Sequence, residues 1–349
     1  MLLFFVIILC VCVVGFSINR DGLNSGYMDK KQTESIKGFF ILLVFLRHSI
    51  ADVMRAGYQS ANLLDSIGLR VDAELGQLIV VMFLFYSGYG VMESFKNKGE
   101  QYTRQFPRHR ILTTLLNFDV AVVSFLFFNL ILGIRMDFRQ IGLSFIGWRS
   151  IGNSNWYIFV ILYCYCCSWV GRMIFSSKNI LFVTFSSLLV FAGFVLLAFL
   201  RHGEGHWYTT ILCYPAGMWY SFFLKERHIS LCKKYYYPIL GLLAVVFLFM
   251  HFQRWIPGFH GFTFNVKSIV FALLVVHLSL KLSIGNQFLR WAGVCLFPIY
   301  IYQRLPMIAI RNIAGGDWIC SNPYLFIILC AFITGGIAFF YKHWQINLR

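Results

Sequence analysis

The sequence IKGFFILLVFLRHSIADVM, residues 36–54, decides how this chain folds and where its chemistry is expected. It is apolar over the length of a membrane helix, yet it begins with Lys37 and carries Arg47 and His48 well inside. Ionisable side chains at bilayer depth cost several kcal/mol, so they mark functional sites by default. Lys37 and His48 are eleven residues apart, about 16 Å and three turns along a helix, so they share one face. Asp52, one turn beyond His48, is placed to accept a hydrogen bond from the imidazole.

Composition extends this membrane character to the whole chain. Of its 349 residues 59% are hydrophobic and only 13% are charged, and the mean hydropathy is +0.70. Residues 36–54 are one of eleven apolar runs, most of them long enough to cross a hydrocarbon core of about 30 Å as helices. The others are, approximately, 1–16, 73–92, 111–133, 156–175, 180–200, 207–224, 237–252, 266–284, 291–310 and 324–341. No strand periodicity or repeat is visible, which predicts an all-α, polytopic transmembrane helical bundle.

The positive charge of the chain indicates its orientation in a membrane. The formal net charge of +16 would suit nucleic acid, but the basic residues are spread through short connectors rather than gathered on one face. With eleven spans, 19 Lys and Arg residues lie on one side and ten on the other, with Arg47 inside its span. The positive-inside rule then places the N-terminus outside and the C-terminus in the cytoplasm. Residues 1–35 form a retained anchor helix with a cytoplasmic connector, since no cleavage site for a signal peptide is visible.

The cysteines and the remaining histidines give no sign of a metal site. The ten cysteines form no CxxC pair, lie mostly in or beside apolar runs, and have no histidine at a spacing that fits zinc. We interpret them as small buried hydrophobic residues and predict no metal and no permanently bound cofactor. Four histidines at span ends receive no role: His202, His206, His251 and His260.

Five stretches resemble the acyltransferase family 3 integral membrane enzymes. The segment TESIKGFFILLVFLRHSI, residues 33–50, is similar to the family signature, in which a basic residue followed by Gly stands eleven positions before a His. FLFYSGYGVMES, residues 83–94, resembles the aromatic-rich span that ends in Ser-Gly. Weaker matches are FPRHRILTTLL at 106–116, NSNWYIFVILYCY at 153–165 and FPIYIYQRLPM at 297–307. The resemblance implies a ten-span acyltransferase core over residues 36–349, with the first helix as an addition.

The resemblance also implies roles for particular residues. An acyl-coenzyme A donor, most simply acetyl-CoA, carries several phosphate charges and would meet Lys37, Arg108 and Arg110 at the cytoplasmic face. Lys37 stands where the family commonly has Arg, and Lys offers a point charge without the bidentate fork. His48 would be the base that accepts a hydroxyl proton, or would itself carry the acyl group. The catalytic candidates are therefore His48, Arg47 and Asp52, and the candidates for the oxyanion or the substrate are Ser87, Tyr89, Trp156 and Arg304.

Several of these residues have a structural alternative. Ser87 and Gly88 would also suit close helix packing. The basic cluster of residues 104–110, which contains Arg104, Arg108, His109 and Arg110, would also anchor the chain at anionic lipid. Trp156 would also suit an interfacial aromatic belt. These alternatives stay open at the level of sequence.

The predicted function is transfer of an acyl group, acetyl by preference, to a hydroxyl of a cell-surface polysaccharide or its lipid-linked precursor. The predicted location is a bacterial cytoplasmic membrane, and the predicted partners are membrane lipid, acyl-CoA and the glycan acceptor, with no nucleic acid. A transporter or flippase for a lipid-linked glycan is the main alternative, because it also needs many spans and buried basic residues. A non-catalytic assembly or sensing protein is a third possibility, favoured if His48 tolerates replacement.

Overall fold

The computed structural model describes residues 1–60, 62–252, 260–313, 316–341 and 344–346. Sixteen α-helices are present in this part of the chain, together with two short strands. The first eight helices are α1 Leu2–Val13, α2 Lys30–Arg55, α3 Leu63–Leu75, α4 Leu78–Phe106, α5 Thr113–Ile131, α6 Phe138–Ser144, α7 Trp156–Ile174 and α8 Asn179–Leu200. The others are α9 Cys213–Trp219, α10 Lys225–Phe252, α11 His260–Ser279, α12 Gln287–Val294, α13 Leu296–Tyr302, α14 Arg304–Asn312, α15 Gly316–Ser321 and α16 Pro323–Tyr341. Strands β1 Phe16–Ile18 and β2 Leu282–Ile284 pair antiparallel.

The predicted all-α membrane bundle is confirmed. Six helical stretches of the described residues are long and apolar enough to cross a membrane, and a seventh is counted if the bent pair 287–294 and 296–312 forms one span. Two of the six, of 69 and 40 residues, are far longer than the roughly 20 residues that one crossing requires, and each contains more than one helix. The division of the chain into eleven spans stays a prediction.

Two predicted connectors are helical. Residues 93–106 form the second half of α4, and a π-helical turn at Pro107–Leu112 follows directly. Residues 225–236 form the first part of α10. The polar residues of both segments are largely Lys, Arg, Glu and Gln, which are good helix formers, so loss of hydrophobicity does not end the helix. The chain changes direction inside each helix instead, at Gly99 with φ +53° and at Tyr235 with φ −119° and ψ 31°.

The helix α2 packs directly against the backbone of α12. A Cβ atom on Gly38 would lie 1.7 Å from the carbonyl oxygen of Leu289, and one on Gly293 would lie 1.8 Å from that of Glu34. Only glycine permits so close an approach of two helices. The Gly that follows Lys37 in the signature is therefore required by packing, and it fixes the height of α2 in the bundle.

The connectors lie at two opposite ends of the bundle. The helix α1 runs from one of these ends to the other. At one end the amino group of Met1 pairs with Asp65 and bonds to the hydroxyl of Tyr324. At the other, Phe16 pairs with Ile284 in the two-stranded ribbon. With 12 residues, or about 18 Å of rise, α1 is shorter than the predicted first span, yet its flanking residues reach both ends. We call these the Met1 end and the ribbon end.

The late apolar run, residues 291–310, is divided into three short helices, with breaks at Cys295 and at Gln303. The chain bends by 65° between Val294 and Leu296, ahead of Gln303 and Arg304. Gln303 is fully buried and donates from Nε2 to the carbonyl of Tyr300 at 2.9 Å. The bend turns α13 and α14 so that Arg304 reaches the site described next.

Candidate functional site

A cavity of about 770 Å³ opens at the Met1 end of the bundle. Its walls come from the last turns of α2, the connector between α5 and α7, the connector after α8 and the start of α14. Three of the residues singled out from the sequence line it: His48, Trp156 and Arg304. The cavity is the site in which these three side chains meet.

His48 presents one ring nitrogen to this cavity. Its Nδ1 atom is buried and has no hydrogen-bond partner among the described residues. Nε2 is therefore the nitrogen left to face the cavity that His48 lines. A buried polar atom without a partner is costly, and such groups concentrate where a ligand or reaction supplies the missing contact. His48 thus has the position that a base or an acyl carrier requires.

Asp52 forms ion pairs with arginines and does not bond to His48, contrary to the expectation from its spacing. Its Oδ1 accepts from Arg55 at 3.1 Å and from Arg311 at 3.2 Å, and it lies 4.0 Å from Nη2 of Arg304. The carboxylate is 3% exposed and Oδ2 has no partner in the described structure. Residues four positions apart on a helix share a face only approximately. In addition, three positive charges attract a carboxylate more strongly than a neutral imidazole does. Asp52 therefore positions the arginines beside the cavity.

Arg47 is also turned away from the cavity. Its Nη1 donates to the backbone carbonyl of Asp72 at 2.6 Å and to Oδ2 of the same residue at 3.1 Å. The pair fastens α2 to α3, and Arg47 is not among the residues that line the cavity. The cation beside His48 is instead Arg304, whose Nε is buried and without a partner in the described part of the chain. Arg304 thus replaces Arg47 as the candidate donor to an oxyanion.

An arginine between two tryptophans forms a wall of the cavity that sequence reasoning missed. The guanidinium of Arg201 lies 4.0 Å from the ring centre of Trp148 and 4.2 Å from that of Trp207, and it donates to the carbonyl of Trp148. Glu204 lies 3.4 Å from Arg201 and accepts from Nε1 of Trp207 at 2.9 Å. Trp148 lies in the predicted connector 134–155 and Trp207 begins the predicted span 207–224. Both positions are predicted on the same side of the membrane, a signal that would have brought them together.

His206 is a second histidine of the cavity, although its sequence context predicts no role for it. Its ring lies 5.8 Å from that of Trp156 at a steep angle. Burial lowers the pKa of His206 below its ordinary value; Glu204 opposes this shift and Arg201 adds to it. The imidazole is therefore neutral near pH 7 and available as a hydrogen-bond partner for a ligand.

The Ser-Gly motif of α4 lies outside the cavity. A Cβ on Gly88 would come within 1.9 Å of the carbonyl oxygen of Tyr214, so this glycine allows α4 to pack on α9. Ser87 interacts with the hydroxyl of Tyr157, the neighbour of Trp156. Tyr89 lies further toward the ribbon end, with Nζ of Lys225 5.6 Å from its ring centre. The packing interpretation therefore applies to Gly88, and neither Ser87 nor Tyr89 lines the cavity.

The predicted phosphate-binding residues lie at the ribbon end, and two of them are close together. The charges of Lys37 and Arg110 act on one another, and Arg110 donates from Nε to the hydroxyl of Tyr102 at 3.0 Å. The π-helical turn at 107–112 adds a residue to this turn of helix, a feature frequent at functional sites. Arg108, in the same turn, is exposed. Lys37, about 16 Å along α2 from His48, and Arg110 are both partly buried and near enough for their charges to interact.

The cavity carries an excess of positive charge. Five arginines line it against two carboxylates. The arginines are Arg55, Arg139, Arg149, Arg201 and Arg304, and the carboxylates are Asp137 and Glu204. A cleft lined by one sign of charge attracts ligands of the opposite sign.

Comparison with known proteins adds one finding. Residues 31–342, most of the chain, match the model of a protein family described as an acyltransferase domain. The matched region contains both Lys37 and His48 and every element of the cavity wall. No curated protein and no solved structure matches the chain significantly.

Proposed function

This chain belongs to acyltransferase family 3, and from that membership and the cavity around His48 we propose that it is an integral membrane O-acyltransferase that modifies a cell-surface glycan. The donor is acetyl-CoA or another acyl-CoA. The acceptor is a hydroxyl of a surface polysaccharide or of its lipid-linked precursor. The membrane is a bacterial cytoplasmic membrane, with the cavity open to its outer side.

The observation that carries this proposal is that His48 lines a polar cavity together with Arg304 while its Nδ1 is buried without a partner, which leaves Nε2 for the chemistry. In the transfer, the thioester C–S bond breaks and an ester C–O bond forms. The acceptor proton passes to Nε2 of His48 and is then available to the departing thiolate. If His48 first carries the acyl group, the same nitrogen forms the bond to the carbonyl carbon. Arg304, which lines the same cavity, is the candidate cation for the oxyanion in either case.

The donor approaches from the ribbon end. Lys37 and Arg110 are partly buried cations at that end, where a polyanionic coenzyme A from the cytosol would arrive. His48 lies on the same helix and about 16 Å further on, so α2 alone connects the phosphate-binding pair with the reacting carbonyl. The linear arm of the coenzyme would then follow α2 through the bundle.

The acceptor enters from the Met1 end. Trp148, Trp156 and Trp207 offer flat rings for the apolar faces of sugars. Asn153, Gln140 and similar amide side chains offer hydrogen bonds to hydroxyls. The five arginines favour a glycan that carries negative charge, such as a phosphate-linked precursor or a polymer with acidic sugars.

The test is the acyl content of the host's surface glycan, measured by mass and proton spectra with the gene present, deleted, or carrying His48→Ala. We expect ester-linked acyl groups only with the parent, and equal membrane abundance for the parent and His48→Ala. His202→Ala is the matched control, since His202 is exposed at the same end and does not line the cavity. Normal acylation with His48→Ala would overturn the assignment. Loss of the whole glycan from the surface on deletion, rather than loss of its acyl groups, would indicate the flippase.

A further inference from the structure

A second cluster of reactive side chains lies at the ribbon end, separate from the His48 cavity. His228 and Cys232 are one turn apart on α10, and His277 comes from the last turn of α11. Nε2 of His228 is 2.9 Å from Nδ1 of His277, and Sγ of Cys232 is 3.6 Å from the same Nδ1. The three candidate ligand atoms lie within 4.8 Å of one another. Cys232 and His277 are buried, with 2% and 0% exposure.

The outer nitrogen of each histidine is already held by a hydrogen bond. Nε2 of His277 lies 3.0 Å from the backbone carbonyl of Tyr236, an acceptor, so it carries the proton and leaves the Nδ1 lone pair free. Nδ1 of His228 lies 2.8 Å from the hydroxyl of Tyr220. Metal-binding histidines almost always use their second nitrogen in this way, because the bond fixes both tautomer and ring orientation.

From this arrangement we propose that His228, Cys232 and His277 bind one divalent cation of the zinc class. Bond lengths of about 2.0 Å to nitrogen and 2.3 Å to sulfur in a tetrahedral site place ligand atoms about 3.3 to 3.6 Å apart. The Cys232–His277 distance fits this spacing, and the His228–His277 distance needs to open by about 0.4 Å, a small rotation of one ring. Imidazole and thiolate are the ligands that zinc prefers. Binding releases the thiol proton of Cys232 to solvent, while both imidazoles bind in the neutral form.

The site has a structural consequence and an open position. It joins α10 to α11 at a point where α10 contains the kink at Tyr235. Cys232 and Tyr236 also line a second cavity of about 550 Å³, with Lys281 and Tyr27 among its other walls. Three protein ligands leave the fourth position of a tetrahedral ion for water or a small anion from this cavity.

The sequence predicts no metal because the ligands do not form a compact motif. The four-residue spacing of His228 and Cys232 resembles no common zinc signature, and the third ligand follows 45 residues after Cys232 on another helix. Only the packing of α10 on α11 brings them together. The inference is independent of acyl transfer.

The test uses the purified full-length protein in detergent, with an affinity tag that contains no histidine. After incubation with Zn²⁺ and removal of free metal, we expect about one zinc per chain by elemental analysis. Replacement by Co²⁺ gives a thiolate-to-metal charge-transfer band and visible bands of tetrahedral intensity. Cys232→Ser removes the charge-transfer band, and His277→Gln lowers metal affinity by more than about tenfold. The matched controls are Cys166→Ser and His202→Gln, which change exposed residues of the same types and leave binding unchanged.

A parent protein that holds no stoichiometric zinc and shows no cobalt–thiolate band would overturn the proposal without any variant having to fold. The cluster is then a hydrogen-bonded chain in which His228 donates to His277. Retention of the cobalt–thiolate band by Cys232→Ser would also overturn it, because another cysteine would be the ligand. Tyr220→Phe supplies a finer check, since loss of the bond that orients His228 weakens metal binding about 10- to 100-fold.

Discussion

His48 and Asp52 lie one turn apart on α2, yet their side chains have different surroundings and different roles. His48 lines the cavity and has an unpartnered ring nitrogen, whereas Asp52 is enclosed by three arginines and does not bond to the imidazole. A change at His48 should therefore alter chemistry, and a change at Asp52 should alter the stability of the cavity wall.

We predict that Asp52→Asn lowers thermal stability while leaving most of the activity per folded molecule. It removes the charge that Arg55 and Arg311 share, and a hydrogen bond to a charged group contributes about 1.5–3 kcal/mol, less here because both arginines are partly exposed. His48→Ala should do the reverse, since loss of a general base removes about 10²- to 10⁴-fold of rate. Melting temperature in detergent and acyl transfer per molecule are the two measurements. A loss of rate with Asp52→Asn as large as with His48→Ala would show that the two residues act as a unit.

At the ribbon end we predict that Lys37→Ala weakens coenzyme A binding by about 10- to 100-fold, the loss expected for one charge-assisted contact to phosphate. Arg110→Ala should have a similar effect, because the two cations lie together. Lys37→Arg should retain binding. Arg104→Ala is the control, since Arg104 is 84% exposed at the same end. Isothermal titration with coenzyme A measures all four, and equal affinity in Lys37→Ala and Arg104→Ala would contradict a phosphate role for Lys37.

The helices α2 and α4 hold the site by close backbone contact rather than by interlocking large side chains. Gly38 on α2 and Gly88 on α4 each face a carbonyl oxygen of a neighbouring helix. The apolar rings around them, such as Phe83 and Phe85, are buried and add packing without setting the distance between axes. A methyl group at either glycine would force two helices apart and displace the cavity wall.

We predict that Gly88→Ala destabilises the protein whereas Gly90→Ala does not. A Cβ on Gly88 would meet the carbonyl of Tyr214 at 1.9 Å, while one on Gly90 has open space. Overpacking of this kind costs about 1–3 kcal/mol or more, and a Gly-to-Ala change in an unhindered helix is favourable by about 0.5–1 kcal/mol. The two variants share a helix and differ by two residues, so thermal unfolding and membrane yield compare them directly. Equal stability would mean that α4 and α9 do not pack as described.

The sequence predicts the class of the fold and the C-terminal end of α2 better than it predicts the cavity or the start of α2, which begins at Lys30 rather than residue 36. Hydrophobic runs reveal helices, and the Lys37–His48 spacing follows from helical geometry alone. The partners of Arg47 and Asp52 depend on α3 and α14, whose positions no local pattern encodes. Arg201 was missed because its role comes from two tryptophans in separate connectors. The polar connectors 93–110 and 225–236 carry no apolar pattern that predicts a helix, yet they are helical because their residues are good helix formers.

The charge count and the structure together indicate how the bundle is oriented. Of the ten basic residues on the predicted outer side, five line the His48 cavity and have a ligand-binding reason to be there. If these five residues are left out, the difference between the two sides in the number of basic residues is even larger than the count of 19 to ten. We therefore propose that the ribbon end, which holds Lys37 and Arg110, faces the cytoplasm.

We therefore predict that reporters fused after residues 30, 100 and 349 are cytoplasmic, and that those fused after residues 60 and 145 are outside. Residues 60 and 145 lie in connectors at the Met1 end, near Tyr58 and Trp148, whereas residue 30 begins α2 at the ribbon end. A paired reporter that is active on only one side of the membrane gives opposite signals in the two groups. Cytoplasmic activity at 60 or 145 would place the cavity on the donor side. Donor and acceptor would then enter by the same end, and α2 would not have to connect the two faces of the membrane.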